Sequence, residues 1–224
     1  MTESTSFRPL AVTFDRPAPA VVASAALPTA TLHEAQGRRG ALPGAIKPID
    51  PSMRLCGPAF PVRCPPGDNL RIHHAIYAAR PGDVLVVDCS GRREHGYWGE
   101  IMNVAAIERR LGGLVIDGGV RDRDRLVELG WPVFAHGICI RGTGKDPTAP
   151  GSLGEPITIG DVDIAPGDLV VGDADGVVVV PRAQVASIVD AAREREAREA
   201  TILRRLREGA TTLEIYGFDP AALG

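Results

Sequence analysis

The sequence predicts an α/β fold, and three features predict it. Two apolar runs, Val84-Leu85-Val86-Val87 and Leu114-Val115-Ile116, are continuous rather than alternating, as in strands covered on both faces. Helical text lies between them and follows the second, so strand, helix, strand occurs twice within about sixty residues. After Gly137 the texture changes to short strands and tight turns, compact β text able to close against the first sheet.

Taken in order, residues 1–20 are rich in Ser, Thr and Pro and predict a flexible arm. Thr31 and Glu34 have the spacing of a capping box, so a short helix capped by Thr31 is expected, ended by the turn residues 36–40. Residues 54–64 read as a strand broken by a proline bend, and 65–69 as a turn. Ile72, Ala75, Ile76 and Ala79 mark the apolar face of a helix over 70–79, and 84–88 is a strand. Residues 91–99 are expected as a polar loop, and 100–111 as a helix ended by Gly112-Gly113. A strand over 114–117 follows, then a helix over 122–129 and a strand over 132–135. Further strands fall at 160–164, 169–173 and 176–181, the last entered by an Asp-Gly turn. Residues 184–207 form one long helix. The chain thus reads as a single domain over 21–208, between the arm and a tail at 209–224 in which Tyr216 and Phe218 pack locally.

Composition excludes several classes. Hydrophobic residues at 44% and charged residues at 24% suit a globular domain with a sizeable core. The net charge of -3 carries no basic signal for nucleic acid or an anionic membrane. Aromatics at 4% offer no platform for stacking bases. No apolar run is long enough to span a bilayer, and no signal peptide is expected, so a cytoplasmic protein is predicted. Cys56, Cys64, Cys89 and Cys139 form no close pair and predict reduced, mostly buried thiols.

The stretch from Leu114 to Asp122 delivers the adjacent pair Arg121-Asp122 to the mouth of the sheet, where α/β folds place their sites. Glu100, Arg141 and Lys145 fall at comparable places, just after apolar segments. Asp122 reads either as a helix cap or as an ion ligand. Magnesium or manganese takes oxygen ligands and keeps several waters, so Asp122 and Glu100 could give one direct and one water-mediated contact. Arg121 offers a planar fork to a carboxylate, and amides near Ile101 and Met102 could take its other oxygen. A 2-keto acid so held has a polarised carbonyl, which favours the enolate formed when a carbon–carbon bond beside pyruvate breaks. Lys145 either adds positive charge there or is simply solvated. His33, His73, His74, His95 and His136 are too scattered to form a cluster. On the long helix, Val185, Ile188, Val189, Ala192, Leu203 and Leu206 make an apolar stripe, and Glu196 and Glu199 fall on or beside it. Either the helix leaves the body there, or one of these glutamates enters a site, of its own or of another subunit.

Gly118-Gly119-Val120-Arg121-Asp122 resembles the signature of the 4-hydroxy-4-methyl-2-oxoglutarate / 4-carboxy-4-hydroxy-2-oxoadipate aldolases, class II pyruvate aldolases related to the regulators of ribonuclease E activity. The resemblance runs from about Ala30 to Gly217 and includes Thr31–Arg38, Cys64–Asn69, Tyr97–Glu100, Gly142–Lys145, Pro166–Val170 and Asp173–Pro181. It implies a compact α-β-β sandwich of the swivelling, phosphohistidine-domain-like type, assembled as homotrimers or hexamers of stacked trimers with sites between subunits. It implies that Arg121 binds the pyruvyl carboxylate together with the loop of Gly99, Glu100, Ile101 and Met102. Asp122 would anchor Mg2+ or Mn2+, mostly through waters, with Glu100 beside it. Lys145 matches the active-site lysine, and Glu199, or else Glu196, the glutamate supplied by a neighbouring subunit. The implied reaction is retro-aldol cleavage to pyruvate plus oxaloacetate or a second pyruvate, through a metal-stabilised pyruvate enolate, with oxaloacetate decarboxylation on the side. Glu100 departs from the aspartate of many members, the 146–155 loop looks long, and the first thirty residues match poorly.

Two rival readings accompany this one: a decarboxylase acting only on oxaloacetate or a related keto acid, and a non-catalytic binding protein like the ribonuclease E regulators. Against the second, the Arg121-Asp122 pair is intact, whereas regulators tend to lose the aspartate. The label of menaquinone methyltransferase that some relatives carry finds no glycine-rich cofactor loop here.

Overall fold

The computed structural model describes residues 12–219. Two short helices come first, α1 (Pro19–Ser24) and α2 (Thr29–Ala35). Strands β1 (Lys47–Pro48) and β2 (Leu55–Arg63) follow, then α3 (Leu70–Ala78), β3 (Val84–Asp88), β4 (Gly96–Trp98), α4 (Glu100–Glu108), β5 (Gly113–Val120), α5 (Arg123–Leu129) and β6 (Val133–Ile138). The β-rich half holds β7 (Ser152–Leu153), β8 (Ile157–Ile159), β9 (Val162–Ile164), β10 (Leu169–Asp173) and β11 (Gly176–Val180). The long helix α6 (Val185–Arg207) and a last turn of helix, α7 (Thr212–Tyr216), close the chain.

The α/β class is as expected. The main sheet has the order β1-β6-β5-β3-β2-β10-β11, with β4 added beside β5 and β7 beside β2. Strands β2, β3, β5 and β6 are parallel, and β10 and β11 run antiparallel to their neighbours. The expected break in β2 is instead a hand-over. Residues 55–58 pair with β10 and residues 59–63 with β3, so one continuous strand belongs to both halves. Bending there brings the halves face to face, and a Cβ at Gly172 on β10 would lie 2.8 Å from the Phe134 ring on β6. The bridge between Ala41 and Val178 nearly closes the sheet.

Alternation along β10 and β11 shows how both faces are filled. Val170, Val177 and Val179 join the interior core, while Leu169, Val171, Val178 and Val180 face outward beneath α2 and α6. Of the stripe on α6, Val185, Ile188, Val189 and Ala192 are buried there, but Leu203 is 50% exposed. The helix therefore leaves the body after its first half, and Glu196 and Glu199 are only half-buried. Tyr216 and Phe218 tilt against each other at 6.4 Å, both exposed.

Two local expectations fail for long-range reasons. Thr31 does not cap α2. The helix begins two residues earlier, and the Asp173 carboxylate, remote in sequence, accepts from the Thr29 amide at 2.9 Å and from its hydroxyl at 2.7 Å. Those hydrogen bonds outweigh the upward push of burial and hold the Asp173 carboxyl below its usual range. The arm expected over 1–20 lies partly outside the described residues. Within them, Phe14 packs on Phe60 at 5.8 Å, and Arg16 grips Asp83 through Nε at 2.6 Å and Nη2 at 2.7 Å. All four cysteines are free, and burial pushes the Cys64 thiol up to about 12. No helix among the described residues is long and apolar enough to cross a membrane.

The Asp83 side chain is 0% exposed, so removing its partner leaves a buried carboxylate with fewer partners. Arg16→Ala should lower stability by about 3 kcal/mol, read as the urea midpoint at unchanged slope. A shift below about 0.5 kcal/mol would mean that the segment does not brace the body.

Candidate active site

The strand expected to end at Asp117 runs on through Gly118 and Gly119 to Val120. The glycines are there for close approach. A Cβ at Gly118 would lie 2.6 Å from Cys89 Sγ, and one at Gly119 would lie 2.6 Å from the His95 carbonyl oxygen. This space admits β4, which falls in the stretch expected as a polar loop and pairs with β5 at Gly96–Gly119 and Trp98–Val120. Tyr97 and Trp98 anchor β4 by large buried rings with satisfied polar tips. The Tyr97 hydroxyl donates to the Arg92 carbonyl at 2.7 Å and accepts from the Gly67 amide at 2.8 Å. Burial pushes the Tyr97 phenol up to about 12. Trp98 donates from Nε1 to Asn103 at 3.0 Å and stacks on Trp131 at 5.6 Å.

With β4 fixed, Gly99 starts α4 beside the end of β5. The Arg121 amide donates to the Trp98 carbonyl at 2.8 Å, which extends the pairing to the functional pair. Asp122 then adopts a left-handed conformation, φ 59° and ψ 35°, uncommon for a non-glycine residue. It stands at the cap position of α5 but makes no side-chain cap hydrogen bond to that helix. Its Oδ2 instead accepts from the Glu100 amide of α4 at 3.1 Å. Asp122 therefore does not cap the helix that follows it but accepts from the first turn of another, and its other oxygen has no hydrogen-bond partner among the described residues.

The Arg121 stem lies along Gly96 and Gly99. A Cβ at Gly99 would sit 3.1 Å from Arg121 Cγ and 2.5 Å from Asp122 Oδ2. The guanidinium donates no hydrogen bond within the described residues and approaches Asp122 only to 3.9 Å. The Ile101 and Met102 amides lie in the first turn of α4, where no carbonyl four residues back is available to them. A free planar fork, first-turn amides and a carboxylate therefore share one rim.

Glu100 and Asp122 both line a depression of about 380 Å³ with Arg123, Asp124 and Arg125. Glu100 is turned to Arg125, Oε1 to Nε 3.2 Å, and this hydrogen bond raises the Arg125 pKa further. Asp122 is thus less engaged than Glu100, and Asp124 lines the same depression. No group of three or more His, Cys, Asp or Glu among the described residues could hold a metal. Two hard oxygen donors on an open depression do fit magnesium or manganese, which keep several waters.

Lys145 is exposed and forms no hydrogen bond or ion pair with Arg121 or Asp122. It lies near His73, whose pKa is lowered by burial first and by the Lys145 charge second. Sequence reasoning took 65–69 for a turn and missed that Asp68 and Asn69 hold the lysine's loop. Asp68 Oδ2 accepts from the Asp146 amide at 2.6 Å, and the Asn69 amide donates to the Gly144 carbonyl at 3.2 Å. Asn69 Nδ2 also donates to the Tyr97 carbonyl at 2.8 Å, which ties this loop to β4. The sequence shows only two polar residues after a Pro-Pro-Gly turn, and their burial emerges with the fold. Within the single chain Glu199 does not join the site. It pairs with Arg195 at 2.8 Å, and Arg195 reaches Glu34 of α2 at 3.8 Å. Glu196 makes no ion pair among the described residues.

The mixed α/β sheet thus presents an arginine–aspartate pair at the first turn of a neighbouring helix, an arrangement that could take a small anion. The chain belongs to the RraA-like family: the family description Aldolase/RraA fits residues 24–179. A protein of Halalkalibacterium halodurans named "Putative 4-hydroxy-4-methyl-2-oxoglutarate aldolase" is 34% identical over 190 residues, 85% of this chain and 90% of its own. Among solved structures, an uncharacterized protein of Pseudomonas syringae pv. tomato superposes with a TM-score of 0.78 at 33% identity, covering 90% of this chain and 96% of its own. Streptomyces coelicolor RraAS2, described as an unusual member of the RNase ES inhibitor RraA family, gives 0.73 at 31% identity over 84% of this chain and 98% of its own.

Because the clash at Gly99 is with the end of a side chain, Gly99→Ala should move the Asp122 carboxylate and spare the fold. The melting temperature should stay within about 2 °C of wild type. Mn2+ affinity by calorimetry should fall roughly tenfold. Unchanged affinity would separate ion binding from the Asp122 position described here.

Proposed function

We propose that the chain is a lyase that cleaves 4-carboxy-4-hydroxy-2-oxoadipate, and 4-hydroxy-4-methyl-2-oxoglutarate, to pyruvate plus oxaloacetate or a second pyruvate. One observation carries the reading: the Arg121 fork, which donates no hydrogen bond among the described residues and meets Asp122 only at 3.9 Å, and the first-turn amides of α4 lie beside the same carboxylate. The family and the name of the Halalkalibacterium relative support it.

In this reading Arg121 and the Ile101 and Met102 amides hold the carboxylate of the pyruvyl half. That fixes the 2-oxo group toward the depression between Asp122 and Glu100. Asp122, with Glu100 behind it, would hold Mg2+ or Mn2+. When bound, the ion supplies positive charge to the 2-oxo oxygen as the C3–C4 bond breaks. The C3–C4 bonding pair passes into the pyruvyl half as its enolate, the 4-hydroxyl proton passes to solvent as C4 becomes the carbonyl of the second keto acid, and solvent returns a proton to C3 to give pyruvate. Lys145, held by Asp68 and Asn69, adds positive charge at the rim. Oxaloacetate decarboxylation would use the same contacts, because it leaves the same pyruvyl fragment.

The rim is open and apolar in places, with Ile101 82% and Ile140 90% exposed, and the outer half of α6 is uncovered. Both fit a neighbouring copy, so we place the working form as a homotrimer or a stack of two, with Glu199 reaching the next subunit's site. Its present partner, Arg195, would then orient it from behind.

Pyruvate release coupled to lactate dehydrogenase should be fast with Mg2+ and abolished by excess chelator. Asp122→Ala should cut kcat/KM at least roughly a thousandfold with the fold intact. Chelator-resistant cleavage, or a fully active Asp122→Ala, would rule out the ion's role. Oxaloacetate decarboxylation without aldol cleavage would favour the decarboxylase. Silence on both substrates would favour a binding protein of the kind RraAS2 is described as.

Glu199→Ala should be inactive alone. Mixed with Arg121→Ala in the same oligomers it should regain part of the wild-type rate, because one composite site keeps both residues. No recovery would confine Glu199 to its own chain.

A further inference from the structure

Beside the Arg121 rim lies a second cavity, of about 620 Å³, walled by Arg92, Arg93, Arg141, His136 and Cys139. The three arginines are not equivalent. Arg93 is neutralised by the nearly buried Asp117, with Nε to Oδ1 at 2.8 Å and Nη2 to Oδ2 at 3.0 Å. Arg92 and Arg141 have no side-chain hydrogen bond or ion pair among the described residues, although the cavity's one carboxylate, Glu94, is close by. Both guanidinium charges help lower the His95 pKa, after burial, so both act on the same small region. His136 Nδ1 is buried without a hydrogen-bond partner and stands 3.7 Å from Asp117, beyond hydrogen-bond length. The floor is bare: Gly137 pairs with Gly119 across β5 and β6, and a Cβ on Gly137 would meet nothing within 4 Å.

This cavity adjoins the pyruvyl site. A Cβ at Gly96 would lie 2.4 Å from the Cys139 carbonyl oxygen and 3.1 Å from Arg121 Cβ, so a cavity wall and the Arg121 stem crowd one point. The Gly96 amide also donates to the Arg141 carbonyl at 2.8 Å.

We propose that this cavity receives the far carboxylate end of the substrate, gripped by Arg92 and Arg141, while Arg121 holds the pyruvyl end. The proposal rests on the lyase reading above and extends it to specificity. Two unpaired guanidiniums over a glycine floor suit a planar oxyanion that lies flat against backbone. They would select a substrate with a carboxylate on its leaving half over a monocarboxylate. A separate oxyanion from solution, such as sulfate or phosphate, has the same chemistry, and the experiment distinguishes it.

The test uses the full chain and Arg92→Gln, Arg141→Gln and Arg141→Lys. Both sites are exposed, and each variant's melting curve is recorded alongside. Two readouts are compared: pyruvate release from 4-carboxy-4-hydroxy-2-oxoadipate, and deuterium exchange at the pyruvate methyl group by NMR, which needs only the pyruvyl end. Each Gln variant should raise KM for the long substrate roughly tenfold or more. That rise should exceed any change in half-saturation for pyruvate exchange by a similar factor, and Arg141→Lys should recover part of it. In wild type, sulfate should compete with the long substrate.

An unchanged KM, or equal losses on both readouts, would overturn the assignment. So would sulfate or phosphate altering the rate without competing, with the effect lost in the variants, because the groove would then hold a separate anion. A wild type that neither exchanges nor cleaves would fail at the lyase reading itself and take the subsite with it.

Discussion

The whole site depends on how closely β4 can lie against β5. Four glycines set that distance, Gly96 and Gly99 on one side and Gly118 and Gly119 on the other. At each, an added Cβ would fall within 2.6 Å of a neighbouring atom. At Gly96 and Gly119 the atom met is a backbone carbonyl oxygen, and at Gly99 and Gly118 it is a side-chain atom, of Asp122 and Cys89. The benefit is positional. Trp98 pairs with the end of β5, so the chain that turns into α4 and the chain that carries Arg121-Asp122 arrive together. Buried rings on β4 with satisfied polar tips make that arrival rigid, because moving either ring would expose apolar area and leave a polar atom unpaired.

Given that approach, the electrostatics follow. The amino end of α4 carries unsatisfied amides and the positive end of the helix dipole, and it attracts negative groups. Asp122 takes one of those amides by adopting an unfavourable backbone conformation, and strain of this kind gathers at functional sites. The remaining first-turn amides have no helical partner and Arg121 donates no hydrogen bond among the described residues; in the proposed reading both serve a ligand's carboxylate. One helix terminus thus orients the protein's own carboxylate and, in the proposed reading, receives that of the ligand beside it.

Much of this was legible in the sequence because it is local. The apolar runs of β3 and β5, the long α6 and the adjacency of Arg121 and Asp122 all follow from spacing along the chain. So did the mismatch on α6, where carboxylates share the stripe of Val185 and Ile188 and the helix does leave the body. The illegible parts are contacts between distant residues. Thr31 looked like a cap, yet Asp173 caps α2 from far along the chain. Asp122 looked like the cap of its own helix and serves another. Gly96–Trp98 has too few residues to show a period, and its polar flanks resemble a loop. Arg16 is a surface residue by type and becomes a part-buried partner only because Asp83 waits just before β3.

The distribution of charge around the rim has a further consequence. Carboxylates at Asp117, Glu100 and Glu199 each have an arginine partner in the single chain, Arg93, Arg125 and Arg195. Arg121, Arg92 and Arg141 have no such hydrogen-bonded partner, and all three belong to the rim or the cavity beside it. Long cationic side chains left unpaired lose little at a wet surface, so their exposure alone would mean nothing. Their grouping matters because they surround bare glycine backbone rather than apolar surface that their stems could cover. Three such guanidiniums against the two carboxylates of Asp122 and Glu94 give a positive field over one small area. A ligand with carboxylates at both ends would complete that field.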